Sequence, residues 1–92
     1  MTIDCHPHLL ARMEQRGITL EEIERTLAEG WAALDAKPGT RGKTLVFEYQ
    51  DEWLGEFFED KEVTVYYKIS GDDIVVLTAI ARYGSNFERR RP

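Results

Sequence analysis

The sequence has a single cysteine, Cys5, which excludes an intramolecular disulfide framework and a cysteine-based zinc site. It also has no long hydrophobic run, because the longest, residues 74–81, is far shorter than the roughly 18–20 residues that cross a bilayer. The first residues show no apolar signal-peptide region. For a chain of 92 residues, these absences predict one cytoplasmic domain over residues 1–92, with no membrane partner.

Acidic residues exceed basic ones, 17 to 12, and the formal net charge is −5. The excess is concentrated between residues 48 and 62, where seven carboxylates accompany a single cation, Lys61. An acidic chain is unsuited to loose, charge-driven binding of nucleic acid, because such binding depends on neutralising phosphates. A local basic patch outside this segment remains compatible with the composition.

Two helices are predicted in the N-terminal third. Pro7 suits the first turn of a helix and Gly17 its left-handed end, so the first helix covers about residues 6–16. Thr19 and Glu22 have the spacing of a capping box, which predicts a second helix that runs to the next glycine. Its apolar positions, expected to pack on a sheet, are Leu20, Ile23 and Leu27.

Alternating apolar and polar residues then predict strands. These cover about residues 43–50, 63–70 and 74–83, with residues 31–36 as a candidate short edge strand. The fold class is therefore α+β: two N-terminal helices packed on an antiparallel sheet of three to four strands.

The two-residue turn Gly71-Asp72 fixes the register of the last two strands by pairing Ser70 with Asp73. This register predicts a core face of Val63, Val65, Tyr67, Ile69, Ile74, Val76, Thr78 and Ile80. The predicted opposite face has Tyr66, Lys68, Val75, Leu77, Ala79 and Ala81. Arg82 then falls on the core face, where we expect it to cap the edge of the core near the helices.

Residues 51–60 are too acidic, and too interrupted by Gly55, for a buried strand. They predict a loop or hairpin tip with one helical turn that places Trp53 beside Phe57. Together with Phe58, these aromatics form a candidate surface for a protein partner or a second copy of the chain, or else fold back over the sheet. The basic tail, residues 84–92, is predicted to be mobile.

The first helix carries His8, Arg12 and Arg16 at successive i+4 steps, about 6 Å apart along the axis. This stripe of cations has a spacing like that of neighbouring phosphates and has no i+4 carboxylate to neutralise it. The alternative is a solvated face in which His8 packs and Arg12 pairs with an acid of the sheet. His6 and His8 offer too few ligands for a metal site, so no metal and no cofactor is predicted.

The segment from His8, HLLARMEQRGITLEEI, resembles a small bacterial family, the domain of unknown function 4258. A second helix that ends at Gly30 and a closing hairpin that ends in VVLTA extend the resemblance over residues 8–81. The family has been grouped at fold level with RelE-like and barnase-like ribonucleases, many of which are toxins. The resemblance implies a RelE-like fold, RNA as substrate and a cognate antitoxin as a protein partner.

The resemblance also implies a metal-independent reaction, in which a 2′-hydroxyl attacks the adjacent phosphate. In that reaction His8 is the expected acid or base, since an unperturbed imidazole titrates near neutrality. Arg12 and Arg16 would hold phosphate oxygens. Further stabilisation or a proton would come from Lys68, Tyr66, Lys43 or Arg82.

The residues leave a second function open. A non-catalytic domain would keep the same fold and use the acidic aromatic segment 51–60 to bind a partner or to dimerise. For Tyr66 and Lys68, the alternative is an ordinary open sheet face with a lysine that extends its ammonium into water. For Cys5 it is a buried apolar side chain.

Overall fold

A computed structural model describes residues 3–91, so Met1, Thr2 and Pro92, the last residue of the predicted tail, lie outside the described residues. Two helices and five strands make up the fold. In chain order these are β1 Ile3–Cys5, α1 Pro7–Arg16, α2 Leu20–Glu29, β2 Trp31–Ala32, β3 Arg41–Trp53, β4 Glu56–Ser70 and β5 Asp73–Gly84.

All five strands form one sheet in the order β1-β5-β4-β3-β2. The α+β class is confirmed, but the prediction of three to four antiparallel strands is wrong in two respects. A strand, β1, precedes the helices and pairs parallel with β5. The edge strand β2 has only two residues rather than the six expected.

The signals that were used to predict the end of α1 and the start of α2 are confirmed. Gly17 ends α1 with φ 69°, in the left-handed region that glycine adopts at little cost. Thr19 caps α2, and its side chain and that of Glu22 complete the reciprocal capping box. Only three residues separate the two helices, which therefore form a tight corner over the sheet.

The core lies between the helices and one face of the sheet. Its buried members are Leu9, Met13, Ile18, Ile23, Val63, Val65, Val76 and Ala79. Leu27 is half-buried against this cluster, whereas Leu20 is 49% exposed and does not belong to it. Burial of this apolar surface is the main favourable term for so short a chain.

A bulge in β5 reverses the predicted faces of its second half. Tyr66 pairs with Thr78 but Tyr67 pairs with Val76, so Leu77 is an extra residue in β5. Because side chains alternate, the bulge turns Ala79 towards the helices. The assignments of Thr78 and Ile80 to the core face, and of Ala79 and Ala81 to the opposite face, were therefore wrong.

The same bulge corrects the prediction for Arg82. Its partner in β4 is Glu62, and both side chains lie on the face away from the helices. Arg82 does not cap the core, since 67% of its side chain is exposed.

Residues 51–60 form the end of a long hairpin, which confirms the hairpin-tip alternative, but the helical turn expected there is wrong. Strands β3 and β4 continue to a two-residue turn at Leu54 and Gly55, whose φ values are 53° and 84°. This is the backbone of a tight hairpin turn. Phe57 pairs with Glu52, so it does not lie directly opposite Trp53, whose partner is Glu56.

Candidate functional site

The face of the sheet away from the helices contains an open cleft of about 510 Å³. We call it the open-face cleft. Its floor and walls come from the segment after β2, from β3 to β5, and from the C-terminal tail. The charged and aromatic residues that line it are Trp31, Asp35, Glu62, Tyr66, Arg82, Glu88 and Arg90.

A carboxylate and a guanidinium meet on the sheet floor of the cleft. Nη1 of Arg82 donates to Oε1 of Glu62 at 3.3 Å. The Glu62 side chain is 17% exposed and the Arg82 side chain is 67% exposed. The guanidinium also lies over the ring of Phe87, 5.2 Å from its centroid. A long, partly exposed ion pair of this kind is weak. Arg82 can therefore leave the Glu62 carboxylate and bind an anionic ligand instead at small cost in free energy.

Tyr66 forms the other end of the same strand segment. Its hydroxyl donates to the Asp35 carboxylate, 3.0 Å from each oxygen. Burial and this hydrogen bond raise the pKa of Tyr66 above its ordinary value. Tyr66 therefore keeps its proton at neutral pH and remains a donor. Its ring lies beside Gly42, where a Cβ would be 3.1 Å from the ring.

The middle of the cleft is uncharged. Thr44 and Thr64 are buried, and their hydroxyl oxygens are 2.9 Å apart. Trp31 pairs with Thr44 across β2 and β3, so its half-buried indole lies on the same face. An aromatic surface is thereby placed beside two hydroxyls, between the charged groups of the cleft.

The C-terminal tail supplies one wall of the cleft. Arg89 donates to the carbonyl oxygen of Val46 at 3.1 Å and lies 3.4 Å from Asp60. Next to it, Arg90 pairs with Glu88 at 3.3 Å. The tail segment 86–91 thus contacts both β3 and β4 and brings a second guanidinium to the cleft.

The predicted catalytic set is divided between the two sides of the sheet. His8 and Arg12 are exposed on α1, on the helix side. Their neighbour Arg16 donates through Nη1 to the carbonyl oxygen of Ala79 at 2.7 Å, which fixes α1 to β5. The structure brings Tyr66 and Arg82 together in the open-face cleft, away from this stripe.

The two predicted lysines lie apart from the cleft as well as from each other. Lys68 is exposed on β4, two residues beyond Tyr66 on the same face. Lys43 is half-buried and pairs with Val65, which places its side chain on the helix side.

The predicted partner aromatics are divided as well. Trp53 stacks on Tyr83 with 5.2 Å between ring centroids, and Phe58 lies 5.5 Å from the same ring. Trp53 also covers Gly17, since a Cβ there would be 2.6 Å from the indole. Phe57 is 57% exposed. The hairpin end therefore folds back towards the helices, and of the described residues none from 51–60 lines the open-face cleft.

Sequence reasoning missed Trp31, Asp35, Glu62 and Arg90 as site residues. The alternation in β4 was a usable signal, because it places Glu62, Thr64 and Tyr66 on one face. No local pattern indicates that Asp35 reaches Tyr66 or that Arg90 turns back over the sheet. Within residues 3–91, no three His, Cys, Asp or Glu side chains form a group suited to a metal ion, and no helix is long and apolar enough to cross a membrane.

Residues 6–81 match the family described as "Domain of unknown function (DUF4258)". No curated protein and no solved structure matches the chain.

Proposed function

The chain belongs to the DUF4258 family, and we propose that it is a metal-independent endoribonuclease whose reaction takes place in the open-face cleft. The observation that carries the proposal is the grouping in one cleft of three carboxylates, two guanidiniums, a tyrosine hydroxyl and an indole. These are the groups that phosphodiester transfer requires for proton transfer, charge stabilisation and base stacking.

The proton-transfer groups have a suitable arrangement along β4. Glu62 and Tyr66 lie two residues on either side of Thr64, so their backbones are about 13 Å apart at strand spacing. A phosphate above Thr64 would have one group on each side. In-line displacement needs this arrangement, because the nucleophile enters opposite to the leaving group.

In the proposed reaction, Glu62 takes the proton of a ribose 2′-hydroxyl, and the 2′-oxygen attacks the adjacent phosphorus. The bond from phosphorus to the 5′-oxygen breaks, and that oxygen takes a proton from Tyr66. The products are a 2′,3′-cyclic phosphate and a 5′-hydroxyl. Donation requires Tyr66 to exchange its hydrogen bond to Asp35 for one to the leaving oxygen.

Arg82 and Arg90 would hold the phosphate oxygens. Each is paired with a carboxylate at 3.3 Å in the free protein. Guanidiniums bind phosphate through paired donors and cannot lose their charge at neutral pH. When Arg82 moves to the phosphate, Glu62 is released to act as the base.

Trp31 gives the cleft a preference for single-stranded RNA. A base can stack on its indole only when it is free of a partner strand. No described residue of the acidic segment 51–60 lines the cleft, which weakens the repulsion between that segment and the phosphate path.

The experiment is cleavage of a single-stranded RNA in the presence of EDTA. We expect 2′,3′-cyclic phosphate ends, and Glu62→Gln should lower the rate about 10²- to 10⁴-fold. Glu59→Gln is a matched control, because Glu59 is exposed on the hairpin. An inert wild-type protein, or equal activity of the two variants, would contradict the proposal.

A second function is favoured by the exposed apolar residues at the hairpin end. Leu54 is 85% exposed and Phe57 is 57% exposed. In this alternative the chain binds an antitoxin-like protein or a second copy through the hairpin. Loss of binding in a Phe57→Ser variant, with an inert wild-type cleft, would support the interaction domain over the enzyme.

A further inference from the structure

A second, smaller pocket adjoins the open-face cleft. Its volume is about 380 Å³, and its lining residues are Asp35, Lys37, Thr40, Tyr66, Leu77 and Thr78. We call it the side pocket. Asp35 and Tyr66 line both cavities, so the hydrogen bond between them lies at the boundary of the two.

The β5 bulge shapes the side pocket. Leu77 is the extra residue of the bulge; it is 41% exposed and lines the same pocket as Tyr66. Thr40 also lines the pocket, and its hydroxyl and its amide both donate to the carbonyl oxygen of Lys37. These bonds hold the turn that carries Lys37, the one cation among the residues named above as lining the pocket.

We propose that the side pocket binds the nucleobase next to the cleaved bond and prefers cytosine to uracil. This inference rests on the proposed ribonuclease function. The Tyr66 ring and Leu77 offer a surface on which a flat base can stack, and Lys37 is placed to contact its phosphate. Continuity with the open-face cleft makes the occupant the next nucleotide of the same strand.

Asp35 determines the preference. An ionised carboxylate accepts hydrogen bonds and donates none. The hydrogen bond from Tyr66 uses only part of the acceptor capacity of the Asp35 carboxylate. Cytosine presents an N4 amino donor where uracil presents an O4 acceptor. The amino group gains a hydrogen bond to Asp35, whereas the uracil oxygen faces a carboxylate of the same polarity.

The test uses oligonucleotides with one cleavable ribose and 2′-deoxy sugars elsewhere. Cytosine and uracil are compared in turn on each side of the cleavable bond. We expect cytosine to raise kcat/KM about 5- to 100-fold on one of the two sides. Asp35→Asn should reduce this ratio to about twofold or less, because the amide offers both a donor and an acceptor.

Asp72→Asn is the matched control and should leave the ratio unchanged, since Asp72 lies in the exposed turn between β4 and β5. Equal cleavage rates for cytosine and uracil on both sides of the cleavable bond would overturn the proposed role of the side pocket as a cytosine site. The proposed ribonuclease function would remain intact. A ratio that Asp35→Asn does not alter would also overturn it.

If the protein cleaves neither substrate, the proposed function fails, and the pocket is tested by binding alone. A 2′-O-methyl cytidine dinucleotide should then shift the amide resonances of Leu77 and Thr78, while its uridine counterpart should shift them much less. The absence of a cytidine-specific shift would also overturn the proposal that the pocket binds cytosine.

Discussion

The ammonium of Lys61 lies 2.7 Å from Oε1 of Glu22 in the corner between the helices and the sheet. Lys61 is 1% exposed and also donates to the carbonyl oxygen of Gly17. The same carboxylate oxygen of Glu22 accepts from the backbone amide of Thr19. One ion pair thus joins the α2 cap, the end of α1 and the middle of β4.

Removal of the Lys61 charge should destabilise the fold strongly. Lys61→Met leaves the Glu22 carboxylate and the Gly17 carbonyl without their cation, at a cost of about 3–5 kcal/mol in unfolding free energy. The double variant with Glu22→Gln should recover part of this loss. Urea unfolding measures it, with Lys68→Met as an exposed control. A cost below about 0.5 kcal/mol would mean that the pair does not hold the corner.

The core assignment predicts a contrast between two apolar truncations. Ile23 is fully buried and Leu34 is 86% exposed. Ile23→Ala should cost about 2–5 kcal/mol because it leaves a cavity beneath α2. Leu34→Ala should change the free energy of unfolding by less than about 0.5 kcal/mol. Similar values for the two variants would show that the α2 packing is wrong.

Tyr83 should make the protein sensitive to alkali. Burial, with smaller effects from Tyr49 and Glu22, raises its pKa far above the ordinary value. Because the folded pKa is the higher one, the associated stability is fully present below about pH 10 and is lost as the pH rises further. Unfolding free energies at pH 8 and pH 11 should therefore differ less in Tyr83→Phe than in wild type. An equal difference in both would contradict this origin.

Tyr83→Phe also removes a hydrogen bond that is present at neutral pH. The Tyr83 hydroxyl donates to the carbonyl oxygen of Arg16 at 2.7 Å. We expect a cost of about 0.5–1.5 kcal/mol at pH 8. Because this loss of unfolding free energy is the same at pH 8 and at pH 11, it does not affect the comparison between the two pH values.

RNA binding should show a shallow dependence on salt. The cleft and side pocket together offer three cations, Arg82, Arg90 and Lys37. Three phosphate contacts give a slope of about −2 for the logarithm of affinity against the logarithm of salt concentration. A titration of single-stranded RNA at several salt concentrations checks the value. A slope near zero would exclude phosphate contacts, and a slope beyond about −4 would require a larger basic surface than the two cavities provide.

The helices were predictable because their signals are local. Thr19 and Glu22 are three residues apart, and Pro7 and Gly17 act through their own backbone preferences. The turn at Gly71 was predictable for the same reason. In each case a few adjacent residues contain all the information.

The faces of β5 were not predictable, because a bulge depends on the partner strand. Leu77 gives no sign in the sequence that it is an extra residue, yet it changes the side of the sheet on which Ile80 and Arg82 lie. The position of Trp53 depended on tertiary contacts with Tyr83 and Gly17, far away in sequence.

Only some residues of the candidate site could be predicted from the sequence. Tyr66 and Arg82 were identified, but they were grouped with His8 and Arg12 because cations at helical spacing are conspicuous. Their actual neighbours, Asp35 and Glu62 among them, are brought in by the sheet register and by the turn after β2.

The most direct test of the account compares cleft variants with stripe variants in one RNA-cleavage assay without metal. We predict that Arg82→Gln lowers the rate about 10²- to 10³-fold, whereas Arg12→Gln and His8→Gln retain nearly wild-type activity. All three side chains are exposed, so folding is expected to be preserved and is checked by circular dichroism. Loss of activity in Arg12→Gln and His8→Gln with a fully active Arg82→Gln variant would contradict the account and place the reaction on α1.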